Sequence, residues 1–447
     1  MQKILCFTTA LSCSLLALVS GCSSNSDGNA SNSLNSAVNA VAPIKKPIPL
    51  IVAPDNPDPA TTAKVEQYLK SISPLGSNQQ THGVWMQSGD KLLANHQGTV
   101  PITAASISKV ATTLATLKTF GPDHVFVTQI GTNGTIENGV LKGDLIVQGG
   151  QDPFFVWEEA IALGNTLNQM GIKRITGNLV LVDNFYMNFS RDPATVGRLF
   201  QTGLNSRLWN RQVNNIYATL PPGTVKPQVV MGGKVKTLPS VPPEFKLLVR
   251  HNSYPVAELL KKMNNYSNNA MAEMFADAVG GASVVSQKAA EAASVPPNEI
   301  YLINGSGLTY ENKISPRAAV GMFRAIEKYL QERNMTVADV FTVTGQDKGV
   351  LEQRKIPKFS VVKSGSLDTV SALVGALPTQ NQGTVWFAIM NKNGDLVKYR
   401  KEQDTFLTKK TTEWGVATAS PTELAPSPAR KDKISSSEII SVQPQQQ

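Results

Sequence analysis

The chain has little of what metal and disulfide chemistry requires. Its 447 residues include three cysteines, Cys6, Cys13 and Cys22, all within the first 22 positions. If the leading segment is removed and Cys22 is modified, no free thiol remains, which excludes disulfides, iron–sulfur clusters and thiolate zinc sites. The four histidines are far apart and form no H-x-x-x-H pair. We therefore expect no metal and no cofactor.

Charge is also sparse. Charged residues make up 17% of the chain, and the formal net charge of +9 comes from scattered lysines and arginines. No arginine stripe with interleaved aromatic residues is present, so we expect no nucleic-acid partner. The positive charge suits a protein that works near an anionic polymer or a membrane surface, although ordinary surface lysines explain it equally well. With 41% hydrophobic residues, the chain can bury one large core and a second, smaller one.

The first 57 residues have the features of export and attachment. Residues 1–21 combine one lysine with an apolar run and predict a signal peptide. Leu18-Val-Ser-Gly-Cys22 resembles the bacterial lipobox, so we expect Cys22 to be lipidated; an ordinary signal peptide with a chance cysteine is the alternative. Residues 22–57 are polar and then proline-rich, which predicts a disordered tether. The protein is thus expected to be an exported lipoprotein that faces the periplasm and cell wall, and Ser23 favours the outer membrane.

The motif that organises the chain is a predicted helix start at Thr103-Ala-Ala-Ser106-Ile-Ser-Lys109. Thr103 is a good N-cap, apolar residues follow at helical spacing, and Gly121-Pro122 is a strong stop. Ser106 and Lys109 are three residues apart and therefore lie on one helix face, as a nucleophile and its base would. The same S-x-x-K spacing occurs at 88–91, a predicted hairpin turn, and at 360–363, a predicted strand. Only Ser106 lies at a predicted helix start.

The remaining chain divides by its texture. Helical patterns in 58–130 and 246–415, with three strand candidates between 361 and 390, predict a catalytic domain in two segments. Short strands separated by glycine and asparagine in 131–245 predict an inserted strand-rich domain. Serine, proline, glutamate and glutamine dominate 416–447, which predicts a disordered tail.

Two further triplets follow the first motif in order, Ser267-Asn-Asn269 and Lys363-Ser-Gly365. Together with S-x-x-K they resemble the motifs of penicillin-binding proteins and serine β-lactamases. The stretches around 304–316 and 366–390 also match. From about 65 to 412 the chain resembles low-molecular-mass class C penicillin-binding proteins with an inserted domain, which are D-alanyl-D-alanine carboxypeptidases and endopeptidases. The resemblance implies an α/β (α+β) transpeptidase-like fold, an antiparallel sheet flanked by helices.

The resemblance also implies roles for five side chains. Ser106 would attack the carbonyl between two D-alanines and form an ester that water hydrolyses. Lys109 would be the base, with its pKa lowered by burial and by the charge of Lys363. Lys363 would also hold the substrate's terminal carboxylate. Ser267 would relay a proton to the leaving amine, and Asn269 would orient Lys109 and the substrate amide.

The strand of the third motif would bind the substrate. Ser364, which replaces the family's usual threonine, and Ser366 would hydrogen-bond the terminal carboxylate beside Gly365. The backbone N–H groups of Ser106 and Ser366 would form the oxyanion hole. The implied partners are peptidoglycan peptide stems and, as inhibitors, β-lactam antibiotics.

Several alternatives stay open from the sequence. Tyr266-Ser-Asn268 overlaps the second motif by one residue and matches the Tyr-x-Asn of related β-lactamases, although the order of residues favours Ser267-Asn-Asn269. A serine β-lactamase and a non-catalytic wall-binding lipoprotein are the alternative functions. Preference for terminal D-alanine or for cross-links is not decided.

Overall fold

The protein is described here from a computed structural model, which covers residues 49–73 and 79–440. The predicted signal peptide, Cys22 and most of the predicted tether lie outside these residues. Within them, ten α-helices are formed: α1 (Pro59–Ile72), α2 (Ser108–Phe120), α3 (Trp157–Gln169), α4 (Pro193–Leu204), α5 (Arg211–Tyr217), α6 (Val256–Asn265), α7 (Asn269–Val279), α8 (Ala282–Ala293), α9 (Pro316–Gln331) and α10 (Leu396–Trp414).

The strands of the same residues range from two to ten residues in length. They are β1 (His82–Ser88), β2 (Lys91–His96), β3 (Ile102–Thr103), β4 (Val127–Thr132), β5 (Thr135–Glu137), β6 (Val140–Lys142), β7 (Leu145–Gln148), β8 (Arg174–Ile175), β9 (Leu179–Val182), β10 (Val230–Met231), β11 (Val235–Leu238), β12 (Lys246–Asn252), β13 (Ile300–Tyr301), β14 (Lys313–Ile314), β15 (Thr342–Val343), β16 (Val361–Leu367), β17 (Val370–Thr379), β18 (Gly383–Lys392) and β19 (Ser436–Ile439).

A six-stranded antiparallel sheet organises the catalytic part, in the order β15-β16-β17-β18-β1-β2. Side chains alternate between its faces, so Trp85 packs on one side while Val84 and Met86 pack on the other. α2 and α6 to α9 cover the first face, and α1 and α10 cover the second. The sheet is therefore buried on both sides, which confirms the expected architecture of an antiparallel sheet flanked by helices.

α2 is the central helix of this part. Ten of its thirteen residues are buried, including polar Lys109, Thr112 and Thr113. It ends where Gly121 adopts a left-handed backbone (φ 82°), as the Gly-Pro stop predicts. A buried lysine is uncommon and must be compensated by nearby polar groups, and Lys109 lies in the first turn of this helix, where such groups meet it.

Residues 130–249 form a hydrophobic core of their own. Its sheets mix parallel and antiparallel pairs, in the orders β11-β9-β7-β4-β12-β19 and β10-β8-β6-β5, and α3 to α5 pack on them. The expected boundaries of the inserted domain, 131 and 245, cut through β4 and leave β12 outside. Both strands belong to the six-stranded sheet of this core, so these boundaries are wrong. The segment is also richer in helix than its glycine and asparagine content predicts.

The prediction of a disordered tail is wrong for residues 416–440. Leu424 is fully buried in the catalytic core, and β19 pairs antiparallel with β12. Arg430 is buried, and its Nε and Nη2 atoms donate hydrogen bonds to the two carboxylate oxygens of Glu258. A polar composition does not prevent order when a few residues are anchored, because each anchor fixes the chain on either side of it.

The end of the predicted tether is ordered as well. Val52 is buried, and the carbonyl oxygens of Pro49 and Leu50 accept hydrogen bonds from Arg324. Residues 49–57 are therefore held on the catalytic part, which corrects the tether boundary at 57. Among the described residues, no helix is long and apolar enough to cross a membrane.

Candidate active site

Ser106 lies in a tight turn, not in the first turn of a capped α-helix. Thr103 ends β3 and gives its hydroxyl hydrogen to the Tyr310 carbonyl, so the prediction that Thr103 is an N-cap is wrong. A short 3₁₀ turn, Ala105–Ile107, precedes α2. Ala105 has φ 46°, a left-handed conformation that is unfavourable for a residue with a Cβ. Such strain is characteristic of functional turns, and here it precedes the half-buried Ser106 hydroxyl.

The Lys109 amine is the centre of the site. Nζ lies 3.0 Å from Ser106 Oγ, 2.7 Å from Asn269 Oδ1 and 2.7 Å from the Ser306 carbonyl oxygen. The side chain is fully buried, and burial lowers the pKa of Lys109 to about 7, against an opposing effect of the Glu273 carboxylate. An amine with such a pKa is neutral in a large fraction of molecules near pH 7 and can accept a proton from serine.

The elbow between α6 and α7 decides between the two readings of the second motif. The Asn268 side chain accepts a hydrogen bond from Met271 N and caps α7, so it is not available to the cleft. Asn269, the first residue of α7, instead contacts Lys109. Tyr266 is 60% exposed. The geometry therefore favours Ser267-Asn-Asn269 over Tyr266-Ser-Asn268.

Lys363 approaches from β16. Its amine is buried and donates to Ser267 Oγ at 3.0 Å and to the Ser364 carbonyl oxygen at 2.6 Å. Burial lowers the pKa of Lys363 well below its usual value, and the nearby Lys109 lowers it further. The expected repulsion between the two lysine charges is present, and it lowers the pKa of Lys363. Ser267 has φ 50° and is itself in the left-handed region, whereas Ser106 directly follows a residue in that region, Ala105.

Gly365 allows β16 to approach the turn at Ala104–Ile107, which carries the proposed nucleophile. A Cβ at this position would lie 3.0 Å from both Ser106 N and Ile107 N and 2.8 Å from the Ala104 carbonyl oxygen. All three atoms belong to the backbone and cannot rotate away. A glycine is therefore required for the strand to approach the turn so closely.

Ser364 and Ser366 lie on the opposite face of β16 from Lys363 and Gly365, because side chains alternate along a strand. Ser366 Oγ accepts a hydrogen bond of 2.8 Å from Arg400 of α10. Arg400 is half-buried and forms no salt bridge within the described part of the chain. The eight predicted site residues in the described chain form two hydrogen-bonded groups, Ser106–Lys109–Asn269 and Ser267–Lys363, with three neighbours on β16. Gly365 lies against the turn at Ala104–Ile107, Ser364 offers its carbonyl oxygen to Lys363, and Ser366 contacts Arg400.

The sequence reasoning missed three contributors. Ser306 supplies a carbonyl oxygen to Lys109, Glu273 binds the loop that carries it, and Arg400 contacts Ser366. Glu273 follows Asn269 by four residues on α7, a spacing that places both on one helix face and could have indicated it. Arg400 carries no local signal. In 49–73 and 79–440, no group of three or more His, Cys, Asp or Glu side chains is arranged to hold a metal ion.

Comparisons with known proteins identify the family of the chain. The chain matches the D-Ala-D-Ala carboxypeptidase 3 (S13) family over residues 61–213 and 225–410. It is 23% identical over 383 residues to D-alanyl-D-alanine carboxypeptidase DacB of Haemophilus influenzae, with 64% of this chain and 79% of DacB covered.

Solved structures show the same fold. The Bd3459 predatory endopeptidase of Bdellovibrio bacteriovorus, solved with immunity protein Bd3460, superposes with a TM-score of 0.66 at 20% identity and covers 80% of this chain and 99% of its own. Penicillin-binding protein 4 (dacB) of H. influenzae gives a TM-score of 0.60 at 20% identity, over 78% and 99% of the two chains.

Proposed function

The chain belongs to the D-Ala-D-Ala carboxypeptidase 3 (S13) family, and from this membership we propose that Ser106 is the nucleophile with which it cleaves peptidoglycan peptides. The protein is a serine-type D-Ala-D-Ala carboxypeptidase or endopeptidase of the low-molecular-mass penicillin-binding class. The observation that supports Ser106 most directly is its hydroxyl, 3.0 Å from a buried lysine amine whose pKa is about 7. Family membership favours this function over the β-lactamase and wall-binding alternatives.

In the proposed acylation, Lys109 removes the Ser106 hydroxyl proton as Oγ attacks the carbonyl carbon between the two D-residues. The oxygen of the tetrahedral intermediate takes the negative charge and lies between the N–H groups of Ser106 and Ser366. When the C–N bond breaks, Ser267 passes a proton to the leaving amine, and the proton that Lys109 took from Ser106 replaces it; the Lys363 amine, 3.0 Å from Ser267 Oγ, holds that hydroxyl in place. Water then hydrolyses the ester, and Ser106 recovers its proton.

The substrate would lie along β16. Beyond Val362, no strand of the described residues pairs with this edge, because β15 contacts only Val361 and Val362. An extended peptide can add to such an edge as another strand. The terminal carboxylate would then reach Ser366 and the Arg400 guanidinium, which lacks a carboxylate partner within the chain as described. A guanidinium and a hydroxyl together provide the directional donors that a carboxylate binds best.

Labelling with a fluorescent penicillin tests the nucleophile. A β-lactam resembles the D-Ala-D-Ala dipeptide, and the wild-type protein is expected to form a stable ester that mass spectrometry locates on Ser106. Ser106→Ala should abolish the label. Ser88→Ala is a matched control, because Ser88 begins the same S-x-x-K spacing in the β1–β2 turn and should label normally. Labelling of Ser106→Ala at the wild-type rate would refute the assignment.

Product analysis then decides the bond that is cut. The purified protein is incubated with a pentapeptide and, separately, with a cross-linked muropeptide, and the products are analysed by mass. Loss of one alanine indicates carboxypeptidase activity, whereas two separated stems indicate endopeptidase activity. Rapid turnover of nitrocefin instead of a stable ester would support a β-lactamase.

The location of the protein is a further proposal. Lipid on Cys22 would hold the catalytic part near the cell wall, outside the cytoplasmic membrane. Incorporation of labelled palmitate into the wild-type protein, and its loss in Cys22→Ala, is the expected result. Equal incorporation in both proteins would contradict the proposal.

A further inference from the structure

The loop at 304–308 supplies a backbone acceptor for the Lys109 amine. The Ser306 carbonyl oxygen lies 2.7 Å from Nζ, and Ser306 is 2% exposed. The loop is pressed against the nucleophile turn, since a Cβ on Gly307 would lie 1.8 Å from the Ala105 carbonyl oxygen. Thr112 of α2 donates to the Gly305 carbonyl oxygen at 2.8 Å. Any shift of this loop would therefore move the carbonyl oxygen that faces the base.

Hydrogen-bond chemistry shows why this carbonyl oxygen matters. A neutral amine has two N–H donors and one lone pair, whereas an ammonium group has three donors and no lone pair. The Ser306 oxygen accepts only, and the Asn269 Oδ1 atom accepts only, so together they take both hydrogens of neutral Lys109. The lone pair then faces the third neighbour, Ser106 Oγ, which can donate its proton. The fixed positions of the Ser306 and Asn269 oxygens thus direct the lone pair of Lys109 towards Ser106.

Glu273 fixes the second acceptor. Its two carboxylate oxygens accept hydrogen bonds from the consecutive backbone amides of Gly305 and Ser306, each at 3.0 Å. Asn304 Oδ1 holds the next amide, Gly307 N, at 2.8 Å, so each of these three N–H groups in the loop has a side-chain acceptor. Glu273 is half-buried and lies one helical turn after Asn269 on α7. The same helix face therefore positions both acceptors of the Lys109 amine, one directly and one through the loop.

We propose that Glu273 is a positioning residue for acylation, whose carboxylate holds the Ser306 carbonyl oxygen where it directs the Lys109 lone pair at Ser106. The proposal rests on the proposed role of Ser106 and Lys109. It adds a second function for the same side chain, because the Glu273 charge favours the protonated form of Lys109 and so opposes the effect of burial on that pKa. The charged groups that act within this cluster are Glu273 from α7, Lys109 from α2 and Lys363 from β16.

Glu273→Gln separates charge from shape. Glutamine keeps the length and one acceptor but has no charge, so Lys109 should lose its proton more readily. The acid limb of the pH profile for penicillin acylation should move down by about one pH unit. Its plateau should fall several-fold, because an amide N–H₂ now faces one of the two loop amides. A residue that only braced the loop would change the plateau and leave the midpoint in place.

Glu311→Gln is the matched control. Glu311 is exposed in the following segment, contacts Thr309 and does not act on Lys109. It should leave both the midpoint and the plateau unchanged. The positioning role is overturned if Glu273→Gln acylates at the wild-type plateau, and the charge effect is overturned if its midpoint is that of the wild type or if Glu311→Gln moves the midpoint as far.

Glu273→Asp supplies a second measurement that does not depend on the folding of the glutamine variant. Aspartate keeps the charge but is one methylene shorter, so it cannot reach both amides. We expect the acylation plateau to fall about tenfold while the midpoint stays within a few tenths of a pH unit. Acylation at the wild-type rate by this variant would overturn the proposal. Failure of the proposed function is distinguishable, since then the wild-type protein itself would carry no label on Ser106.

Discussion

The Lys109 amine lies 3.0 Å from the Ser106 hydroxyl, and it is fully buried while Ser106 stays accessible. Burial lowers the pKa of Lys109 to about 7, whereas an unperturbed lysine has a pKa of about 10.4. The position of this amine in the first turn of a buried helix therefore gives the proposed base of acylation a pKa near neutrality.

Acylation should consequently depend on pH. Only neutral Lys109 can take the Ser106 proton, so the second-order rate constant for penicillin acylation should rise with pH through about 7 and fall about tenfold per unit below it. The measurement is labelling with a fluorescent penicillin between pH 5 and 9.5. A midpoint near 10, or a flat profile between pH 6 and 8, would mean that Lys109 is not the base.

Gly365→Ala should separate β16 from the nucleophile turn. The added Cβ would meet three backbone atoms at 2.8–3.0 Å, so the strand must shift. We expect acylation to fall at least about tenfold and the free energy of unfolding to fall by about 1–3 kcal/mol. Gly321→Ala in α9 is a less crowded control, with contacts of 3.1–3.3 Å to Ile51 and Ala293, and should lower stability slightly without changing acylation per folded molecule.

Arg400→Ala tests the proposed carboxylate site. If the guanidinium binds the terminal carboxylate together with Ser366, KM for a D-Ala-D-Ala peptide should rise about tenfold with little change in kcat. The same peptide with an amidated C-terminus should be a poor substrate for the wild-type protein, and the preference for the free carboxylate should shrink in the variant. Lys398→Ala, exposed on the same helix, is the control. An undiminished preference in Arg400→Ala would exclude this role.

Local signals in the sequence predict several elements of the catalytic part. Asp58 before Pro59 predicts the start of α1, where its side chain accepts from Thr61 N, and Ser315 before Pro316 predicts the start of α9 in the same way. The turn at Ser88-Gly-Asp-Lys91 and the three strands after Val361 are also as predicted. These features depend on neighbours within a few residues, which a single sequence contains.

The contacts that complete the site depend on distant residues and carry no such signal. Ser366 and Arg400 are brought together by the packing of α10 on the sheet, and the Ser306 carbonyl oxygen is a backbone atom that any residue could supply. At Thr103 a local signal is misleading. Threonine is a good N-cap residue, but here it pairs with Lys313 in the β3–β14 ladder and caps no helix. The three motifs indicated the site because each has side chains that the chemistry itself requires.

The tail offers a test of anchoring by one residue. Arg430 donates to both carboxylate oxygens of Glu258 at 2.6 Å and to Asp123 at 2.8 Å. Arg430→Met would leave the largely buried Glu258 without its partner, so the free energy of unfolding should fall by about 3 kcal/mol. Lys433→Met removes a more exposed contact with Asp123 and should cost less than about 1 kcal/mol. Urea denaturation measures both, and equal effects would show that Arg430 is not the anchor.

Asp152 should make the protein less stable at alkaline pH. It is 4% exposed and accepts a hydrogen bond from Phe154 N, but no cation pairs with it among the described residues. Burial, together with the nearby Glu159, raises the pKa of Asp152 to about 7. Between about pH 4 and 7 the folded protein holds a proton that the unfolded chain has released. The contribution of Asp152 to the free energy of unfolding therefore falls as pH rises through this range, and the full loss is present above pH 7.

Asp152→Asn removes this ionisation and keeps an oxygen acceptor for Phe154 N. The variant should be more stable than the wild-type protein at pH 8, by up to about 4 kcal/mol, and the difference should shrink towards zero near pH 4. Urea denaturation at pH 4.5 and pH 8 measures it. Asp90→Asn, exposed in the β1–β2 turn, should behave as wild type at both values. A gain that is equal at the two pH values would show that asparagine improves packing and that Asp152 does not titrate near neutrality.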